Sequence, residues 1–225
     1  MVKETVLITG ANRGIGLEFV HQHLNKGNTV HATYRSNKGG LESVDHPGLT
    51  CHAVDVRSDE DVKAMMGDIG SPIDVLINNA GVADGRWSRL ESIEFDMAID
   101  VLQVNALSPI RVTQHASPWL KDGSKVVMIS SLMGSIADCE SGRSYAYRAS
   151  KTALNMFTVA MKNELAERGV SVLLLHPGWV QTDMGGAHAP IDVQTSVNGM
   201  MQRIKELNLE NTGTYVQFDG TPVPW

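Results

Sequence analysis

The chain has 225 residues, 42% hydrophobic and 20% charged, with a formal net charge of −6. That is enough apolar mass to close one substantial core, and an acidic surface has no footprint for neutralising phosphates, so nucleic acid is not expected as a partner. No stretch approaches the roughly 18–20 consecutive apolar residues of a membrane helix, and the strand pattern that starts within the first few residues leaves no room for a signal peptide.

In chain order, segment 5–9 (TVLIT) reads as a strand and runs straight into Thr9-Gly10-Ala11-Asn12-Arg13-Gly14-Ile15-Gly16. A helical stripe of Ile15, Phe19, Val20 and Leu24 follows. Glycines at a strand-to-helix junction permit a tight turn and let the backbone approach a pyrophosphate, while the helix N-terminus offers oriented N–H groups and partial positive charge. Gly10, Asn12, Arg13, Gly14, Ile15 and Gly16 are therefore candidate dinucleotide contacts. A merely structural turn would not need three glycines.

The second strand, 29–34 (TVHATY), ends in Tyr34-Arg35-Ser36, where a dinucleotide-binding unit usually carries an acid for the ribose hydroxyls. Arg35 instead suits a 2′-phosphate, with Arg13 approaching from the glycine turn. Each alone reads equally well as a solvated charge. Two cations and no carboxylate together favour NADP(H) over NAD(H).

Segments 51–56 (CHAVDV), 75–78 (VLIN), 125–130 (KVVMIS), 170–175 (VSVLLL) and 214–218 (TYVQF) read as five further strands. Between them, Asp59, Val62, Met65 and Met66 suggest a short helix, 95–120 a long one interrupted by Pro109, and Leu154, Phe157, Met161 and Leu165 another. This alternation predicts an α/β fold, a doubly wound (Rossmann-type) parallel seven-stranded sheet flanked by helices, forming a single dinucleotide-binding domain over 1–225.

Cys51 and Cys139 form no CxxC pair, and the eight histidines are scattered. These point to a reducing, cytoplasmic setting and no metal site.

The glycine turn TGANRGIG, Asn78-Asn79-Ala80-Gly81, Tyr147-Arg148-Ala149-Ser150-Lys151 and Pro177-Gly178 resemble the short-chain dehydrogenase/reductase family in order and spacing, over essentially the whole chain. Segment 176–186 (HPGWVQTDMGG) and the ending 220–225 (GTPVPW) look like its C-factor/Sniffer-like carbonyl reductase branch. The resemblance implies an oxidoreductase that moves a hydride between NADP(H) and a small-molecule carbonyl or alcohol.

Tyr147 and Lys151 are four apart on a helical pattern, so they share a face. A phenol has an unperturbed pKa of about 10, too high for efficient proton exchange at neutral pH, and a nearby ammonium favours the phenolate. Tyr147 then serves as general acid or base. Tyr145 lacks a lysine four residues on. An exposed Tyr/Lys pair is common on helices, and it is the other motifs that give this one weight.

The resemblance further implies that Lys151 binds the nicotinamide ribose, that Ser131 (with Ser130 as the alternative) holds the substrate oxygen, and that Asn105 anchors a water relay from Lys151. The gap of 16 between Ser131 and Tyr147 implies a lengthened loop over 132–146. Asp55 and Val56 would meet the adenine, Asn79, Ala80 and Gly81 the adenosine ribose, and, after a cofactor-side turn at Pro177 and Gly178, Val180 and Thr182 the nicotinamide carboxamide. An Asp opening a loop and an Asn in a kinked helix are the structural alternatives for Asp55 and Asn105.

Segment 183–198 is expected to cover the substrate and to move on binding. Trp87, Trp179 and methionines could add an apolar pocket or simply fill the core. A homodimer through the long helix and the Tyr147 helix is the family expectation. A low-turnover dinucleotide-binding signalling or sensor protein of the C-factor type is the alternative function.

Overall fold

The computed structural model describes residues 3–83 and 89–225. Seven strands form one sheet: β1 (Thr5–Ile8), β2 (Thr29–Tyr34), β3 (Leu49–Ala53), β4 (Ile73–Asn78), β5 (Leu120–Ile129), β6 (Ser171–His176) and β7 (Thr214–Gln217). Their order is β3-β2-β1-β4-β5-β6-β7 and every pairing is parallel. The order reverses beside β1, which opens a crevice above the carboxyl ends of β1 and β4.

Strand alternation divides the core in two. Leu7, Val126, Met128, Val172 and Leu174 face α2 (Asp59–Ile69), α4 (Ser108–Ala116) and α5 (Tyr145–Ala166). Val6, Ile8, Val127, Ile129, Leu173 and Leu175 face α1 (Gly14–Asn25) and α6 (Val193–Glu206). Residues pointing to opposite faces are both buried, as in a parallel sheet covered on two sides. Among the described residues, no helix is long and apolar enough to cross a membrane.

Several boundaries differ from the sequence expectation. β3 ends at Ala53, leaving Asp55 and Val56 in the loop beyond it. β5 begins at Leu120, which pairs with Ile73 before a register irregularity. The long helix is α3 (Phe95–Leu102), a wide π turn (Gln103–Leu107) and then α4. Pro109 supplies the reason: it has no N–H to return to the carbonyl four residues back. The ladder widens instead, with Ser108 N–H bonding Gln103 O five residues earlier.

The expected mobile cover over 183–198 is helical in its second part. α6 is capped by Asp192, whose side chain accepts the Thr195 N–H at 2.6 Å. Val197, Met200, Met201 and Ile204 bury its inner face.

Candidate active site

The strand ends open into a cleft of about 970 Å³, near the top of the range for small-molecule sites. Its floor is the glycine turn. Thr9 Oγ1 accepts the backbone N–H groups of Asn79 and Ala80, both at 3.0 Å, and Asn79 Nδ2 donates to the carbonyls of Thr9 and Gly10. The ends of β1 and β4 are thereby laced together. Gly10 has φ 61°, and a Cβ there would lie 2.8 Å from Ala80 Cα. A Cβ on Gly16 would lie 2.4 Å from Gly10 O. Neither position tolerates a side chain.

α1 begins behind Arg13 with no side-chain cap and no acid in its first turn. Its N-terminal N–H groups and positive dipole end are therefore left for an anion. This is the feature that fits a pyrophosphate.

Gly10, Asn12, Arg13, Gly14, Ile15, Gly16, Arg35, Asp55, Val56, Asn79, Ala80, Gly81, Tyr147, Lys151, Pro177 and Thr182 all border this cleft. Arg13 and Arg35 are both exposed there. Arg13 Nη1 lies 3.0 Å from Asp183 Oδ2 on the opposite lip, and Thr182 Cγ2 stands 3.2 Å from where a Gly14 Cβ would be. The two lips nearly touch.

Asp55 is engaged by Arg57, a residue the sequence reading did not single out. Arg57 Nη2 lies 2.6 Å from Asp55, and its Nη1 lies 2.5 Å from Asp100 on α3. The Arg57 hydrogen bonds hold the Asp55 carboxyl below its usual range. Gly178 and Val180 stand back from the cleft. A Cβ on Gly178 (φ 85°) would meet Ile191 Cδ1 at 2.5 Å, and buried Val180 bridges Ile191. Both residues shape the loop that carries Thr182.

At the inner end of the cleft lies Lys151. It is 5% exposed, and its Nζ donates to Ile129 O at 2.8 Å and lies 5.8 Å from the centroid of the Tyr147 ring. Desolvation by burial draws its amine down to about 8. Two non-glycine residues with positive φ, Arg143 (81°) and Ser144 (50°), introduce the helix that carries the pair. Such conformations persist only where their surroundings over-determine them.

The two serines differ in what they bond. Ser130 borders the cleft but donates its hydroxyl to Asn155 Oδ1 at 2.6 Å. Ser131 caps the following turn, with its Oγ accepting the Met133 N–H at 3.2 Å. Asn105, fully buried in the π turn, braces the loop after β4. Its Oδ1 accepts from Val82 N, and its Nδ2 donates to Val82 O and to Ser150 Oγ. Gly81 lies between the two: a Cβ there would stand 3.3 Å from Asn105 Oδ1 and 3.8 Å from Lys151 Nζ.

Trp179 is exposed, with its indole N–H bonded to Gly185 O at 2.8 Å, and Met184 borders the cleft. Trp87 lies outside the described residues. Asp183, Asn155 and Tyr215 are site neighbours that residue spacing does not reveal, because each joins through long-range contacts, and Arg57 ties its near neighbour Asp55 to the distant Asp100.

The model of the short chain dehydrogenase family matches residues 4–190. The chain is 46% identical over 156 residues to C-signal of Myxococcus xanthus, covering 68% of this chain and 93% of that protein. It is 34% identical over 230 residues to 1-hydroxy-2-glutathionyl-2-methyl-3-butene dehydrogenase of a Rhodococcus species, covering 98% and 99%. The crystal structure of NADPH-bound carbonyl reductase from chicken fatty liver matches with a TM-score of 0.92 at 33% identity, over 100% of both chains. Carbonyl reductase Sniffer of D. melanogaster matches with a TM-score of 0.93 at 32% identity, again over 100% of both. By motif order, sheet topology and these likenesses, the chain belongs to the short-chain dehydrogenase family of oxidoreductases.

Proposed function

We propose that the protein is an NADP(H)-dependent reductase that converts an aldehyde or ketone to its alcohol, or runs the reverse oxidation, with Tyr147 as general acid and base. Residues 1–225 act as one dinucleotide-binding unit. The observation that carries this reading is the buried Lys151 amine at the inner end of the cleft, beside the Tyr147 ring. With its amine drawn to about 8, Lys151 is still an ammonium at neutral pH. Tyr147 gives its phenolic proton to the carbonyl oxygen, and the ammonium stabilises the phenolate left behind.

When bound, NADPH supplies the hydride. The uncapped start of α1, with Gly10, Asn12, Arg13, Gly14, Ile15 and Gly16, suits its pyrophosphate. Arg35 and Arg13 hold the 2′-phosphate at the acid-free end of β2. The NADPH in the chicken carbonyl reductase supports that choice. Asp55 and Val56 hold the adenine, Asn79, Ala80 and Gly81 the adenosine ribose, and Lys151 the nicotinamide ribose. Pro177, Gly178, Val180 and Thr182 belong to the carboxamide side, where Pro177 and Thr182 border the cleft and the Thr182 side chain approaches the glycine turn at Gly14.

Ser131 is the hydroxyl that donates to the substrate oxygen. Ser130 has its proton committed to Asn155, whereas Ser131 only accepts, so its own proton remains available. Asn105 keeps one Oδ1 lone pair for a water on the way to Lys151, while its amide fixes Val82. Two copies pair through α3 and α5, whose exposed Phe95, Ile99, Met156 and Phe157 offer an apolar face. The setting is reducing and cytoplasmic, in keeping with Cys51 and Cys139 standing as free thiols outside any disulfide.

The test is NADPH and NADH consumption over a panel of aldehydes, ketones and quinones. Turnover with NADPH ahead of NADH is expected. The 46% identity to C-signal favours a second reading, a low-turnover signalling or sensor protein. Tight NADPH binding with no turnover on any member of the panel would favour that one.

A further inference from the structure

Behind the cleft lies a buried polar knot that the proton transfer does not use. Ser130 donates to Asn155 Oδ1, Asn155 Nδ2 donates to Gly134 O at 3.2 Å, and the Tyr215 hydroxyl donates to the carbonyl oxygen of Ser131. Asn155 and Tyr215 are 3% and 4% exposed. The knot joins the end of β5, the face of α5 one turn beyond Lys151, and β7.

The turn that Ser131 opens has little room to shift. A Cβ on Gly134 would fall 2.9 Å from Lys151 Cβ and 3.1 Å from Asn155 Nδ2, so this turn lies directly on the catalytic helix. Its other end is held by segment 220–225. The Trp225 main-chain oxygen accepts the Ala137 N–H at 2.8 Å and the Ser135 hydroxyl at 3.3 Å. The Trp225 ring packs on the Tyr215 ring at 5.5 Å, and Val223 N–H bonds Tyr215 O at 2.9 Å. Tyr215 and Trp225 thus grip the turn at both ends while supporting each other.

Packing alone would accept phenylalanine at position 215, since the ring belongs to the buried apolar cluster that also holds Val126, Leu154, Val172 and Val223. The hydroxyl is there for partners: it donates to the main-chain oxygen of Ser131, and the Asn155 and Ser130 side chains lie within hydrogen-bonding reach of it. We propose that Tyr215 is a positioning residue, which by holding the Ser131 carbonyl fixes the peptide from which the Ser131 hydroxyl is aimed at the substrate oxygen. This rests on the assignment of Ser131 made above. Misplacement by about 1 Å can cost on the order of 100-fold in rate, and a loosened peptide costs part of that.

The test is a double-mutant cycle of Tyr215→Phe and Ser131→Ala, read with NADPH and whichever of benzaldehyde, acetophenone or benzoquinone is reduced fastest. Tyr215→Phe should lower kcat about tenfold while leaving the NADPH Kd within about twofold of wild type. In the Ser131→Ala background it should lower kcat by no more than about a further twofold. If Tyr215→Phe does not fold well enough to assay, Trp225→Ala carries the same expectation in the same direction. An equal loss in both backgrounds, or an unchanged kcat beside a lowered Tm, overturns the positioning role and leaves Ser131 standing. An unchanged kcat in Ser131→Ala alone overturns the Ser131 assignment, and the proposal with it.

Discussion

Arg13 on the glycine turn and Asp183 on the loop after β6 form an ion pair of 3.0 Å across the mouth of the cleft. Their side chains are 72% and 77% exposed, so the pair itself contributes little to stability. Its weight lies in competition. If Arg13 is to neutralise a 2′-phosphate it must turn away from Asp183, and it gains freedom to do so when that carboxylate is gone. Asp183→Asn should tighten NADPH about two- to fivefold, the scale of an exposed pair, and leave NADH unchanged. The gain should shrink with added salt. Fluorescence titration of both cofactors measures it, and equal tightening of the two would show that Arg13 does not read the phosphate.

Arg35 stands at the end of β2, where a carboxylate would otherwise meet the ribose hydroxyls. Replacing it by Asp while removing Arg13, as Arg35→Asp with Arg13→Ala, replaces two cations with one acid. The ratio of kcat/KM for NADPH over NADH should fall by about 100-fold or more, since each charge-assisted contact to a phosphate contributes roughly 1.5–3 kcal/mol. An unchanged ratio would place the phosphate elsewhere.

Tyr147→Phe removes the phenolic proton and keeps the ring beside Lys151. General acid–base catalysis contributes about 100- to 10,000-fold, so kcat should fall on that scale. NADPH should still quench the intrinsic fluorescence with a similar Kd. Retained turnover would transfer the proton donor to another group and end the assignment.

The parts of this site legible in the sequence are those whose partners are close along the chain. The glycine turn announces itself because a tight turn and a helix start lie within eight residues. Tyr147 and Lys151 are read from a single turn of helix. α6 was also within reach: Asp192 followed by Val193, Val197, Met200, Met201 and Ile204 is a cap before an apolar stripe. The Gly-, Ala- and Pro-containing run before it obscured the pattern. By contrast, Arg57 with Asp100, Asn155 with Ser130, and Tyr215 with Ser131 are 43, 25 and 84 residues apart. Only the sheet order brings them together. Pro109 signals a break in the long helix, but not that the break is a widened turn upstream that buries Asn105.

Burial of Lys151 opposes folding while serving the chemistry, and pH separates the two. Its amine titrates at about 8 in the fold, down from 10.5. Below about pH 8 it is protonated in both folded and unfolded chains, and the fold carries the full cost of burying an ammonium. Between roughly pH 8 and 10.5 the unfolded chain binds more protons, so the cost is relieved as pH rises and is gone above that window. The shift corresponds to about 3 kcal/mol. Lys151→Met removes that cost but leaves Ile129 O without its donor, a loss of about 1–3 kcal/mol that does not vary with pH. Urea unfolding of both proteins from about pH 7 to 10.5 should therefore show the variant's stability, relative to wild type, falling by about 3 kcal/mol across the window. Titrations of groups away from Lys151 cancel in that difference, and running both proteins in the Tyr147→Phe background removes the phenol beside the amine. A constant difference would mean that the amine titrates alike in the folded and unfolded chains, and that its burial is not what tunes it.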